Sequence, residues 1–196
     1  MPKVTEEYRE ARRHEIAQAA LRCFARTGFD GTSMADIIQE SGLSAGAIYG
    51  HYKSKNELIQ MAVGDLLARR TADFQKALQS EVLEPPGVLV GRFLHGIRAE
   101  IGETTVLVQL WASASNDPEL RRMAAGIAGT IGGIFTRYLT AWYAQDGLDA
   151  DEASARAVRE APVCIGLAQG YIVQSALFDG FDGEGYIAAI ADVFVR

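Results

Sequence analysis

Two side chains with polar tips, Tyr49 and His51, lie in a short segment in which most other residues are small. The segment covers residues 44–52, and its alanines and glycines would let the backbone closely approach a groove of double-stranded nucleic acid. Tyrosine and histidine in this setting can form hydrogen bonds to base edges or phosphates. The alternatives are that Tyr49 is half-buried packing and that His51 is exposed without a partner.

Lys55 is a third candidate in this part of the chain. It falls in the first turn of a predicted helix, where a lysine is poorly placed for the dipole of its own helix. Because backbone N–H groups at such a helix start favour an anion, a nearby phosphate would explain the lysine. The alternative is an ammonium group that is merely solvated.

Residues typical of catalysis or metal binding show no comparable grouping. The histidines, His14, His51 and His95, are scattered, and the sequence contains no HExxH, GxSxG or phosphate-binding glycine loop. Cys23 and Cys164 lie far apart in apolar runs, which favours two buried, reduced thiols. We therefore expect no enzymatic activity, no metal and no cofactor.

The charge of the chain is distributed unevenly. The formal net charge is −6, but residues 1–56 carry 8 basic and 7 acidic side chains, and the remainder carries 11 and 18. Affinity for nucleic acid depends on local cations, so the N-terminal end is the favoured side for such a partner. With no long apolar run and a charged N-terminus, we expect a cytoplasmic protein without a membrane partner.

Helical periodicity predicts an all-α fold without strands. Ser33 with Asp36 and Ser54 with Glu57 resemble capping boxes, and Gly28 fits a position just past a helix end. The predicted helices cover about residues 6–27, 32–41, 44–52, 54–79, 87–101, 103–115, 117–145, 150–178 and 183–195.

The second and third predicted helices are short and are joined by a tight turn at Gly42, and a longer helix precedes them. This arrangement is typical of a helix-turn-helix, in which the second short helix lies in the major groove of DNA. We predict a DNA-binding domain over residues 1–53 and a larger helical domain over residues 54–196.

The segment from Thr32 to Leu58, together with residues 16–29 upstream, resembles the DNA-binding domain of the TetR family. The resemblance covers roughly residues 10–60. It implies three N-terminal helices that bind double-stranded operator DNA and a fourth helix that links them to an effector-binding and dimerisation domain. It also implies that the last two helices form a homodimer interface.

Carried over by position, the resemblance implies phosphate contacts from Thr32 and Ser33 and a set of groove-lining residues, with Tyr49, His51 and Lys55 as the strongest contacts. Arg12 and Arg13 would either add contacts to the DNA backbone or form a solvated helix face. The groove-lining positions are Ser44, Ala47, Tyr49, Gly50 and His51.

The function implied by the resemblance is a ligand-responsive repressor, released from a palindromic operator by a small apolar or amphipathic effector. Two alternatives stay open. The protein could bind DNA constitutively without an effector, or it could activate transcription, because the sign of regulation depends on where the operator lies.

Large side chains with polar tips on the middle helices could line an effector pocket, although most large residues at helical spacing are core. Arg98 or His95 could recognise an acid, the alternative being a surface position for both. The pocket candidates are Phe93, Gln109, Trp111, Phe135, Tyr138, Gln169 and Tyr171.

Small residues are concentrated between Cys164 and Ile172, where they would allow two helices to approach closely. The last predicted helix carries apolar residues from Tyr186 to Phe194. We hypothesise that these two helices pair with their counterparts in a second copy as an isologous four-helix contact.

Overall fold

The computed structural model describes residues 6–102 and 104–194. Within these ranges all regular elements are α-helices, which confirms the predicted all-α fold. None of the helices in this part of the chain has both the length and the apolar character needed to span a bilayer. The helices are α1 (Glu6–Thr27), α2 (Met34–Ser41), α3 (Ala45–Tyr49), α4 (Lys55–Ala77), α5 (Pro86–Ile101), α6 (Thr105–Asn116), α7 (Pro118–Gln145), α8 (Ala150–Leu177) and α9 (Gly183–Ala191).

The helix α3 is shorter than the sequence predicted. It ends at Tyr49, and the amides of His51 and Tyr52 both donate to the carbonyl of Ile48 at 2.9 Å, so residues 50–52 form a turn. Glycine costs a helix interior about 1 kcal/mol relative to alanine, which disfavours extension of a helix that already contains Gly46. The helix α9 likewise ends before its predicted limit of 195, a residue outside the described ranges.

The predicted capping boxes differ in outcome. At α2 the box is complete, since the Ser33 hydroxyl accepts from the Asp36 amide at 3.2 Å and the Asp36 carboxylate accepts from the Ser33 amide at 2.8 Å. At α4 the Ser54 hydroxyl accepts from the Glu57 amide at 3.1 Å, but the Glu57 carboxylate accepts from the Lys53 amide at 2.6 Å. In a complete box this carboxylate would accept from the Ser54 amide, so the reciprocal bond is made one residue earlier in the chain.

Two apolar cores divide the chain unequally. One core lies among α5, α7, α8 and α9 and the second half of α4. The other joins α1, α2, α3 and the start of α4 to Val106, Leu110 and Ala114 of α6 and to Leu120 of α7. A division of the chain between residues 53 and 54 therefore leaves part of the N-terminal core on the other side.

The turn between α1 and α2 lies against α6. Gly28 has φ +78°, a conformation that favours glycine. A Cβ atom added there would lie 2.9 Å from Oε1 of Gln109 on α6. The Ser113 hydroxyl of α6 also donates to the Asp30 carboxylate at 2.7 Å. The helix α6 is thus held against the turn by its apolar face and by the hydrogen bond from Ser113.

We expect Gly28→Ala to lower the free energy of unfolding by about 1–2 kcal/mol, because a left-handed conformation is costly for an L-residue. The matched control is Gly64→Ala in α4, where an added Cβ meets nothing within 4 Å. It should raise the stability by about 0.5–1 kcal/mol. Urea unfolding at equal protein concentration measures both, and a shift of the two variants in the same direction would contradict the prediction.

Candidate nucleic-acid interface

The helix α3 is anchored on its inner side and open on its outer side. Ile48 and the ring of Tyr52, which follows the helix, are fully buried in the N-terminal core. Tyr49 and Gly50 are exposed, and so is Ser44, whose hydroxyl accepts from the Ala47 amide at 3.2 Å. Ala47 itself is partly buried. The structure therefore holds the backbone of α3 rigidly while a surface of small residues faces outward.

The exposed aromatic ring of Tyr49 is the main feature of this surface. Half of the residue is accessible, at 50%, and its hydroxyl has no hydrogen-bond partner among the residues that the structure describes. His51 is partly buried, and its ring centroid lies 6.4 Å from that of Tyr52 in a tilted arrangement. Because Tyr52 is fixed in the core, it limits the positions open to the His51 ring.

The two residues predicted to meet phosphate at the start of α2 lie in different environments. Thr32 is 3% exposed, and its hydroxyl donates to the Gly28 carbonyl at 2.7 Å and bonds the Thr27 hydroxyl at 2.8 Å. Its side chain therefore closes the turn between α1 and α2. Ser33 is exposed, with its hydroxyl donating to the Asp36 carboxylate at 2.7 Å. These bonds hold the pKa of Asp36 below its usual value.

Lys55 has an internal role that the sequence analysis did not foresee. Its ammonium donates to the carbonyls of Phe29 at 2.5 Å and Thr32 at 3.1 Å, and it lies 4.3 Å from the centre of the Phe29 ring. Burial lowers the pKa of this ammonium. Two of its three N–H groups are thus used inside the protein, so these carbonyls explain its placement without a phosphate.

The nearby arginines are held by internal contacts. Arg13 donates to the Met61 sulfur at 3.5 Å and lies 5.9 Å from the Tyr52 ring centre. Arg12 bonds the Glu15 carboxylate at 2.6 Å and the Tyr8 hydroxyl at 2.8 Å. Arg12 thus bonds other residues of α1, whereas Arg13 contacts α4.

One cation beside the interface was missed by the sequence analysis. Lys53 is exposed between α3 and α4, and within the described ranges only its backbone has a hydrogen-bond partner. The sequence could have indicated Lys53 as a contact, because it lies only two residues after His51. Glu40 of α2, in contrast, accepts from Arg22 at 2.8 Å and from Arg26 at 3.1 Å, and the hydrogen bond from Arg22 is the main cause of its lowered pKa. Its charge is thereby partly neutralised.

Three of the predicted pocket residues lie in packed core. Phe93, Phe135 and Tyr138 surround Phe74 of α4, with ring centroids 5.1–6.3 Å apart and edge-to-face geometry. The Tyr138 hydroxyl donates to the Glu84 carbonyl at 2.9 Å. Phe93 also lines a separate surface cleft beside α4.

The other four predicted pocket residues do not share one cavity. Gln109 faces Gly28, and its Oε1 is buried without a partner among the described residues. Trp111 packs against the larger core, and Gln169 is exposed on α8. Tyr171 is buried and lines a cleft of about 640 Å³ between α5, α6, α8 and α9. The seven candidates are therefore dispersed rather than gathered around a common ligand.

Metal-binding side chains do not converge in the described ranges. No group of three or more His, Cys, Asp or Glu residues there is arranged to hold a metal ion. Both cysteines are buried and unpaired with each other, and burial raises the pKa of Cys164 to about 12. The site that the geometry builds is consequently the outer face of α3 and its flanking residues.

Comparisons with known proteins identify this part of the chain. Residues 16–62 match the family model for bacterial regulatory proteins of the tetR family. The uncharacterized HTH-type transcriptional regulator YfiR of Bacillus subtilis is 40% identical over 62 residues, which are 32% of this chain and 30% of that protein. The HTH-type transcriptional repressor Rv1474c of Mycobacterium tuberculosis is 43% identical over 58 residues, or 30% and 31% of the two chains. The chain thus matches less than a third of the length of these relatives.

The likeness in fold extends over most of the chain. The transcriptional regulator FadR from Bacillus subtilis, solved in complex with stearoyl-CoA, has a TM-score of 0.74 and 16% identity. The match covers 93% of this chain and 97% of that one. At this identity the likeness concerns the fold alone.

We expect Lys55→Met to lower the free energy of unfolding by about 1–3 kcal/mol, because two carbonyls at the α1–α2 turn lose their charged donor. The control is Lys53→Met, which removes an exposed lysine two residues away and should change the stability by less than about 0.5 kcal/mol. Equal urea midpoints for the two variants would show that the internal bonds of Lys55 contribute nothing.

Proposed function

We propose that this chain, which belongs to the TetR family through its N-terminal domain, binds operator DNA as a homodimer and represses transcription until an effector binds. The outer face of α3 carries the proposal, because it presents Tyr49 and a small-residue backbone on an anchored helix. A helix of this kind can enter a major groove without steric conflict. The repressor name of Rv1474c supports the sign of regulation.

The proposed DNA contacts fall into two groups. Tyr49 and His51 would reach base edges, with Ser44, Ala47 and Gly50 forming the close-approach surface. The sequence-based set also included Thr32, Ser33 and Lys55 at phosphates. In view of their positions, we assign a direct phosphate contact to Ser33, whereas Thr32 and Lys55 would act by holding the α1–α2 turn. The exposed Lys53 is added as a phosphate contact.

Dimerisation through α8 and α9 is supported by apolar residues left exposed on the protomer. Large hydrophobic side chains that stay accessible on a protomer can mark an interface with another chain. Pro162 and Gly166 of α8 are also exposed, and their small or compact side chains would allow a second helix to approach α8 closely. The exposed hydrophobics of this region are Val158, Val163 and Leu177 on α8, Phe178 directly after α8 and Val193 just after α9.

Two observations bear on the effector. The packed rings around Phe74 favour the alternative of a constitutive DNA-binding protein, since they leave the centre of the larger core filled. The cleft lined by Tyr171, Thr104 and Thr105 favours a ligand-responsive protein, because it opens at the start of α6. The other half of α6 contacts Gly28 and Asp30 beside the DNA-binding helices. We prefer the ligand-responsive protein. FadR, which was solved with bound stearoyl-CoA, is similar to this chain in fold and binds a ligand.

Selection of bound duplexes from a random DNA pool, at about 100 mM salt, should enrich an inverted repeat. Tyr49→Ala should weaken binding to the selected site by about 1–2 kcal/mol through the lost base contact, and Tyr49→Phe tests the hydroxyl separately. The control is Val82→Ala, which alters another exposed apolar side chain before α5. Absence of any enriched sequence with wild type would reject the proposed function.

Val163→Glu should convert the dimer to a monomer, because a charge placed in an apolar interface loses its solvation. Val163 is 47% exposed on the protomer, so the glutamate leaves each fold intact. Val82→Glu is the matched control, with 69% exposure outside α8 and α9. Sedimentation at micromolar concentration distinguishes them, and a wild-type monomer or an unchanged Val163→Glu dimer would exclude this interface.

A further inference from the structure

The cleft of about 640 Å³ lies where the end of α5, the start of α6, the end of α8 and the start of α9 meet. This volume falls within the range of sites for small organic molecules. Its walls are mainly polar, which differs from the apolar pocket that the sequence analysis expected. Arginine, threonine, serine and aspartate side chains share the lining with aromatic rings.

Arg98 is the cation among the described residues that line this cleft; it is exposed, and within residues 6–102 and 104–194 it has no anionic partner. Its one hydrogen bond among the described residues is a long contact, 3.4 Å, to the Tyr171 hydroxyl. Asp179 lines the same cleft, but the bond that Arg98 forms there is to Tyr171 and not to Asp179. Arg69 and Arg70 of the preceding helix α4, in contrast, both pair with Glu100. The guanidinium of Arg98 is therefore available to a carboxylate, which it can bind in a bidentate manner.

Hydroxyl groups and an uncapped helix start stand beside Arg98. The Thr104 hydroxyl bonds that of Ser175 at 2.8 Å and does not cap α6, which begins at Thr105 without a side-chain cap. The first backbone N–H groups of a helix lack intrahelical acceptors and attract negative charge. Because Thr104 and Thr105 both line the cleft, this end of α6 reinforces the preference for an anion that Arg98 establishes.

The remaining lining limits the ligand to one negative charge with a donor group nearby. Asp179 would repel a second anionic group and would accept a hydrogen bond from a hydroxyl or amine. The rings of Tyr171 and Phe181, with centroids 5.6 Å apart, add an aromatic wall. A small hydroxy acid or amino acid meets these requirements better than a fully apolar molecule.

We propose that this cleft is the effector site and that it binds a small organic carboxylate carrying a hydroxyl or amine, with Arg98 taking its charge. The inference rests on the proposed regulator function and specifies its ligand class. Occupation of the cleft would act on α6 at Thr104 and Thr105, at the end opposite Ser113 and its bond to Asp30.

The test measures binding of three acids, lactate, mandelate and phenylalanine, each against its own amide, which lacks the carboxylate. Calorimetry with the whole 196-residue chain gives the dissociation constants for wild type, Arg98→Gln and Arg98→Lys. At least one acid should bind while its amide does not, and Arg98→Gln should weaken it about tenfold or more, the effect of losing a charge-assisted hydrogen bond. Arg98→Lys, which keeps the charge without the fork geometry, should fall between.

Arg137→Gln serves as the control, because it removes an exposed arginine of α7 outside the cleft. Binding of no acid, or binding that Arg98→Gln leaves unchanged, would overturn the ligand assignment. Operator binding is measured on the same preparations. Intact operator binding without acid binding rejects this inference alone, whereas acid binding through Arg98 without an enriched operator rejects the proposed regulator function and leaves the site standing.

Discussion

The burial of one face of α6 in the N-terminal core determines how the two parts of this chain act on each other. Val106 and Leu110 are almost fully buried against residues of α1 to α4. Full burial of a side chain of this size contributes about 1.5–3 kcal/mol, so α6 cannot leave this core at low cost. Any displacement of α6 must therefore carry the α1–α2 turn with it or separate a packed apolar surface.

The small helix α3 depends on the same turn for its position. A helix of five residues has little stability of its own, because helix nucleation is unfavourable and only a few bonds follow it. Its orientation comes from Ile48 and Tyr52 in the core and from the turn that Thr32 and Lys55 close with bonds to backbone carbonyls. Internal polar bonds thus set the direction of the exposed Tyr49. In the proposed function, Thr32 and Lys55 would therefore matter for DNA binding without touching DNA.

The sequence was sufficient for features that depend on local patterns. The complete box at Ser33 and the helical order follow from side-chain chemistry at fixed offsets. The destination of Lys55 was not accessible in this way, since its acceptors at Phe29 and Thr32 are more than twenty positions away in the chain. The pocket residues failed to converge for a related reason: periodicity shows that Phe135 is large and inward, but not that Phe74 fills the space beside it.

The position of the cleft relative to α6 constrains how an effector could influence DNA binding. Coupling between two ligands is reciprocal and typically amounts to about 1–3 kcal/mol. The Ser113–Asp30 bond is exposed, and a hydrogen bond of this kind contributes only about 0.5–1.5 kcal/mol, so it cannot carry the upper part of that range. The apolar contact of Val106 and Leu110 with the N-terminal core is larger and begins one residue from Thr105 in the cleft. A shift of this packed face, rather than the loss of one polar bond, is therefore the event through which a ligand beside Arg98 would alter the setting of α3.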